Sequence, residues 1–226
     1  MQIAGFTAGP FGTNTYVVMS SGPSGGDVAD SDARPQAFVI DPGKDSHDQV
    51  LAIADEAGAE LVAVVLTHGH IDHTRDCADF GLPVYIHPDD EVMLDPKWGA
   101  PKDFGRIFEV DSMKQPGDLR HLKAGETMTF AGMDFRIVHA PGHSPGSSLL
   151  IAQDEDVVFA GDVLFAGSIG RTDLPLGDPA AMDLTLAGPV WGLDDALTVL
   201  PGHGPATTVA HERATNPYLS AAGRSR

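Results

Sequence analysis

The 226-residue chain carries 32 Asp and Glu against 14 Lys and Arg, a net charge of −18. So acidic a surface repels phosphate backbones and anionic membranes, which argues against nucleic-acid and membrane partners. Its hydrophobic residues (42%, with only 7% aromatic) predict an aliphatic core, and no apolar run approaches the roughly 18 residues of a membrane span.

The single cysteine, Cys77, excludes an internal disulfide and reads as a buried structural thiol. With no basic-then-apolar leader at Met1-Gln2-Ile3-Ala4-Gly5-Phe6, it fits a reducing, cytoplasmic setting. The expectation is one domain over 1–226, with a flexible loop near 20–36 rich in Gly, Ser, Asp and Pro.

In chain order, β-formers at 15–19 predict a strand, the loop follows, and 37–40 predict a second strand ended by the turn signal Asp41-Pro42-Gly43. These two make a hairpin with a long tip. Ser46 and Gln49 have capping-box spacing, with Val50, Ile53, Ala54 and Ala57 at helical spacing and Gly58 as the stop. An apolar run at 61–66 predicts a buried strand, and a short helix from Asp72 stops at Gly81.

Residues 84–86 predict a strand ended by His87-Pro88, where His87 is a plain strand-end residue. The pattern weakens over 89–117, where Trp98, Phe104 and Phe108 are placed to pack in a loop or lid. A hairpin is expected from 127–130 and 133–138 around Ala131-Gly132, then strands at 148–152 and 156–160. Asp178-Pro179 starts a helix, 197–200 form the last strand, and 209–219 are helical around Asn216-Pro217. Strands alternating with helices predict a layered α/β domain.

The chemistry concentrates at Thr67-His68-Gly69-His70-Ile71-Asp72-His73, directly after the 61–66 strand. Four potential ligands fall within six residues on a strand-to-helix turn. Imidazole and carboxylate suit zinc, iron or manganese, and this many groups suits two ions rather than one tetrahedral ion. Three later apolar runs also end in a potential ligand: His143 in Pro141-Gly142-His143, Asp162 in Gly161-Asp162, and His203 in Gly202-His203-Gly204.

Together these motifs resemble the metallo-β-lactamase superfamily, in its short, single-domain glyoxalase II-like (hydroxyacylglutathione hydrolase-like) branch. The resemblance covers essentially the whole chain. It implies an αββα sandwich, two mixed sheets face to face with helices outside. It implies two divalent metal ions, zinc first, with iron or manganese as alternatives. His68, His70 and His143 would hold one ion, Asp72, His73 and His203 the other, and Asp162 would bridge them. Asp72 and Asp162 then form the catalytic pair around a metal-bridging hydroxide that attacks the substrate carbonyl. His139 is a candidate to support the ligands from behind.

The segment Phe165-Ala166-Gly167-Ser168-Ile169-Gly170-Arg171-Thr172-Asp173-Leu174-Pro175 and the ending through Asn216-Pro217-Tyr218 resemble the same branch. They suggest Arg171 and Tyr218 as substrate contacts, Arg171 pairing with Asp173 being the simpler structural alternative. The implied reaction is hydrolysis of a small-molecule thioester such as the glutathione thioester S-lactoylglutathione. The alternatives are another ester or a lactone, persulfide oxidation at a single iron, and a non-catalytic metal-binding module.

Overall fold

The computed structural model describes residues 1–22, 34–95 and 102–223. Two six-stranded sheets face each other. The first contains, in spatial and chain order alike, β1 (Gln2–Ala8), β2 (Thr13–Met19), β3 (Gln36–Ile40), β4 (Glu60–Val65), β5 (Val84–Ile86) and β6 (Leu119–His121). Strands β1 to β3 pair antiparallel and β3 to β6 parallel.

The second sheet uses β7 (Thr127–Phe130), β8 (Met133–His139), β9 (Ser148–Ala152) and β10 (Val157–Gly161). A two-stranded ribbon follows, β11 (Leu164–Phe165) and β12 (Ser168–Ile169). Then β13 (Thr198–Pro201) and β14 (Thr207–Thr208) complete the sheet in the order β14-β13-β10-β9-β8-β7. Only β10 and β13 pair parallel in it, so both sheets are mixed.

The alternation of side chains explains the layers. Tyr16, Val18, Phe38, Ile40 and Val65 of the first sheet meet Phe135, Ile137, Leu150 and Phe159 of the second in one buried core. The intervening residues Val17, Val39 and Val64 face the other way, towards Val50 of helix α1 (His47–Glu56) and Cys77. On the far side, Leu149, Val158 and Val199 pack against Met182, Leu186, Val209 and Leu219. Those last belong to α4 (Pro179–Thr185) and its π-turn continuation, and to α5 (Val209–Thr215) and α6 (Pro217–Gly223), after the short α2 (Ile71–Thr74) and α3 (Lys102–Ile107). The result is the expected helix–sheet–sheet–helix sandwich.

Three local expectations change. The Ser46–Gln49 capping box does not form: Ser46 has helical backbone angles and its buried hydroxyl makes no hydrogen bond. Asp76 caps the helix instead, its Oδ2 accepting from Ser46 N at 3.0 Å and His47 N at 3.4 Å. The helix expected from Asp72 to Gly81 is regular only over Ile71–Thr74 and continues as turns to Gly81, whose φ is +65°. The loop expected to extend to Gln36 stops short of it, because Gln36 opens β3 and its carbonyl accepts from Ser20 N. Residues 23–33 of that loop, and Trp98, lie outside the described residues.

Cys77 is buried, and burial pushes its thiol up to about 12, which makes it a packing residue. No helix among the described residues is long and apolar enough to cross a membrane.

Candidate metal centre

Every candidate ligand lies just beyond the C-terminal end of a strand. His68, His70, Asp72 and His73 follow β4, His143 follows β8, Asp162 follows β10 and His203 follows β13. The sandwich brings these ends to one edge. His70 Nδ1 lies 2.7 Å from His143 Nε2, and the His68 ring centroid is 4.8 Å from both of their rings. His203 Nε2 lies 3.1 Å from Asp72 Oδ2 and 3.2 Å from His73 Nε2.

Two groups of three therefore form, His68/His70/His143 and Asp72/His73/His203, each with ligand atoms within 4.8 Å of one another. Asp162 touches both. Its Oδ2 is 3.4 Å from His143 Nε2 and 3.6 Å from His203 Nε2, and its Oδ1 is 3.3 Å from His73 Nε2.

The surrounding hydrogen bonds set the imidazole tautomers. His143 Nδ1 donates to the Arg171 carbonyl at 2.7 Å. His73 Nδ1 donates to Asp41 Oδ2 at 3.0 Å. Thr67 Oγ1 donates to the same oxygen at 2.6 Å and so accepts from His68 Nδ1 at 3.1 Å. Each proton on Nδ1 leaves the Nε2 lone pair directed into the cluster, the arrangement a metal-ligating histidine needs. Two atoms buried here have no hydrogen-bond partner, His68 Nε2 and Asp162 Oδ1. Orphaned polar atoms this deep are costly unless a cation takes them, so the donor set fits divalent metal.

The electrostatics favour the ligating form at four of these groups and oppose it at two. Burial, then His73 and His143, hold His68 well below the ordinary imidazole value. Burial and His143 take His70 down to about 3. Burial opposes ionisation of Asp72 and Asp162, but His73 and the other imidazoles outweigh it and lower both. Burial likewise opposes charge on His73 and His203, and the two carboxylates reverse that and raise both. His68, His70, Asp72 and Asp162 are thus held in the forms that bind metal, whereas His73 and His203, whose charged forms the carboxylates favour, release a proton when a cation takes their Nε2.

Close packing is part of the construction. A Cβ on Gly202 would run into Asp162 Oδ1 and His73 Cε1, so only glycine lets the chain leave β13 beside the cluster.

A cavity of about 390 Å³ opens over His70, Asp72, His143, Asp162 and His203. Its other wall is largely apolar: Phe11, Ile71, Phe104, Phe165, Ile169 and Leu174. Phe11 stands edge-on to Phe104 at 5.4 Å and to the buried Phe108 at 5.1 Å, so the expected aromatic packing of the 89–117 region is present and Phe104 faces the cavity.

Arg171 lines this cavity and also pairs with Asp173, Nε to Oδ1 at 2.7 Å, so both of its expected roles are open to it. Tyr218 is 47% exposed on α6 and is absent from the cavity wall, because α6 packs with its Leu219 side inward. His139 donates from Nε2 to the Pro145 carbonyl at 2.7 Å and stacks on His87 at 4.2 Å. It supports the His143 loop without bonding a ligand. Asp41, a turn residue by sequence, and Asp90 carry no ligand motif of their own, although Asp41 does follow an apolar run, as the candidate ligands do.

Comparison with known proteins agrees with this geometry. Residues 35–203 match the family model for the metallo-beta-lactamase superfamily. A protein of Mycobacterium tuberculosis is 35% identical over 237 residues, covering 99% of this chain and 100% of that one. Hydroxyacylglutathione hydrolase GloC of Haemophilus influenzae is 32% identical over 194 residues, covering 84% and 90% respectively. Among solved structures, the BLEG-1 B3 metallo-beta-lactamase superposes with a TM-score of 0.79 at 32% identity, covering 97% of this chain and 100% of that one. TTHA1623 in a di-iron-bound form superposes with a TM-score of 0.76 at 34% identity, covering 96% and 100%. Strand-end ligands, paired histidine groups and a four-layer sandwich thus coincide with sequence similarity along nearly the full chain, which belongs to the metallo-beta-lactamase superfamily.

Proposed function

We propose that this protein is a dinuclear metal-dependent hydrolase that cleaves a small-molecule thioester, with S-lactoylglutathione as first candidate. The observation that carries the reading is Asp162, whose carboxylate contacts His143 of one ligand group and His73 and His203 of the other. The similarity to a hydroxyacylglutathione hydrolase supports the choice of thioester.

In this reading His68, His70 and His143 hold one ion, Asp72, His73 and His203 the other, and Asp162 is shared. A pair of divalent ions, zinc first, supplies when bound a water acidified towards neutral pH and a Lewis acid for the carbonyl. The chain's own residues do the rest. Asp72 and Asp162 stay ionised and hold the charge that binding demands. The Arg171 carbonyl, Asp41 and Thr67 keep three imidazoles in the ligating tautomer. The apolar wall of Phe11, Phe104 and Phe165 excludes bulk water from the acyl group, and Arg171 is placed for a substrate carboxylate. Overall, water oxygen bonds to the carbonyl carbon, the carbon–sulfur bond breaks, and the products are a carboxylate and a thiol.

The test is hydrolysis of S-lactoylglutathione by purified protein, before and after chelation and after return of zinc, iron or manganese. Chelator-sensitive turnover supports the reading. Protein that holds two metals and does not turn over removes glutathione thioesters from it, and other thioesters, lactones and β-lactams are then screened. Sulfur-dependent oxygen uptake by an iron-loaded protein that spares thioesters favours persulfide oxidation. The complete Asp72/His73/His203 group speaks for hydrolysis, since that alternative needs one ion only.

A further inference from the structure

Two buried carboxylates grip the loop that carries His68 and His70, one on each side of His68. Asp41 Oδ1 accepts from Thr67 N at 2.8 Å. Asp90, in the 3-10 turn Pro88–Leu94, accepts from Gly69 N through Oδ2 at 2.8 Å. Asp41 is already explained, because it sets the tautomers of His68 and His73. Asp90 has no hydrogen bond to a candidate ligand's imidazole and no role in the chemistry above.

Asp90 is fully buried, yet it is a carboxylate. Besides Gly69, it accepts from Ser144 Oγ at 2.6 Å and from Gly146 N at 2.6 Å. Those donors sit on the loop that presents His143, 54 and 56 residues further along the chain. One side chain therefore fastens the His68/His70 loop to the His143 loop. The approach is tight: a Cβ on Gly146 would lie 2.7 Å from Asp90 Cγ. Burying a charge costs free energy, and three short bonds from two loops offset part of that cost, while burial still holds the carboxyl above its ordinary value. An apolar residue would fill the space without joining the loops.

The connection is selective. His68, His70 and His143 come from these two loops alone, whereas in the other group Asp72 and His73 follow His70 on the first loop and His203 stands on neither. The other group is held by different partners: His73 by Asp41, Asp72 by Thr13 Oγ1 at 3.2 Å, and the His203 turn by Asn14, whose Nδ2 donates to Pro201 O and Gly204 O. We infer that Asp90 is a positioning residue that sets the spacing of His70 and His143 and so governs the affinity of the first metal ion, with little effect on the second. The inference rests on the ligand assignment proposed above.

The test uses the full chain, freed of metal, titrated with cobalt(II) against a chromophoric chelator and checked for metal content. Wild type is compared with Asp90→Asn, Ser144→Ala, and Val199→Ala as a core variant of β13 that loses stability away from the loops. In Asp90→Asn an amide NH2 faces an N–H donor of one loop. The expected result is that one of two cobalt ions weakens by about tenfold or more while the other is unchanged. Ser144→Ala weakens the same ion less.

Equal loss at both ions, as in a merely destabilised Val199→Ala protein, overturns the inference, and so does no loss at either. If Asp90→Asn does not fold, Ser144→Ala decides on the same terms. Wild-type protein that takes up no cobalt overturns the ligand assignment and this inference with it, whereas two ions bound identically in all variants overturns this inference alone.

Discussion

Asp41 Oδ2 lies 3.0 Å from His73 Nδ1, although 32 residues separate the two in the chain. Both are buried, and the same oxygen takes the Thr67 hydroxyl proton, so one carboxylate fixes the tautomers of His73 directly and of His68 through Thr67. Asp41 pays for this with a left-handed backbone, φ +51°, at a non-glycine residue.

Asp41→Asn should reverse that chain of protons. An amide NH2 at the Oδ2 position donates to His73 Nδ1, which moves the imidazole proton to Nε2 and blocks the lone pair facing the cluster. Affinity for divalent metal should fall about 10–100-fold, with the far-ultraviolet circular dichroism of the fold retained. Chelator competition measures it; wild-type affinity in the variant would refute the tautomer argument. Unlike Asp90→Asn, this change should weaken both ions of the proposed pair, because the proposed assignment puts His68 and His73 in different groups.

Gly202→Ala tests the packing of the cluster. The added methyl meets Asp162 Oδ1 and His73 Cε1, and neither is the free end of a flexible chain. Overpacking of this kind costs about 1–3 kcal/mol, so the denaturation midpoint should drop and metal content should fall below that of wild type. A variant with unchanged stability and full metal loading would mean that the cluster yields more easily than its contacts suggest.

Glu212 gives a pH dependence remote from the ligands. Its Oε2 accepts from Gly167 N and Asn216 Nδ2, both at 2.8 Å, and its Oε1 accepts from Thr207 Oγ1 at 2.6 Å. The carboxylate thus joins the β11–β12 turn, β14 and the start of α6. Burial works against its charge, but these donors outweigh it and hold Glu212 below the ordinary glutamate value of 4.5. A folded-state pKa below the unfolded one contributes stability at pH above 4.5, and that contribution is lost as pH falls through the lower folded value.

Glu212→Ala should therefore cost about 2 kcal/mol or more at neutral pH, since buried donors lose their acceptor. Glu212→Gln should cost less, because its amide can donate to Thr207 while its oxygen keeps Gly167 and Asn216. Urea melts at pH 7 and near pH 3.5 check the sign. The gap between wild type and Glu212→Gln should close in acid, and a gap that widens would contradict the assignment.

The features legible in the chain are local ones. Short apolar runs rich in β-formers mark the strands, and the polar groups that follow such runs mark His68, His143, Asp162 and His203 at strand ends. That logic works because burial is a property of one segment, and a strand must expose its last residue at the edge of the sheet. Which distant groups meet depends on how the two sheets stack. Nothing in the run around Asp90 announces that it will receive Gly69, Ser144 and Gly146, or that Asp76 rather than Ser46 will cap α1. Tyr218 sits in a promising motif, yet the packing of α6 turns it away from the cavity. Hydrogen bonds between residues 21 to 56 positions apart depend on strand order and sheet stacking, which periodicity does not encode. For that reason the candidate ligands were legible in the chain, and the carboxylates that hold them in place were not.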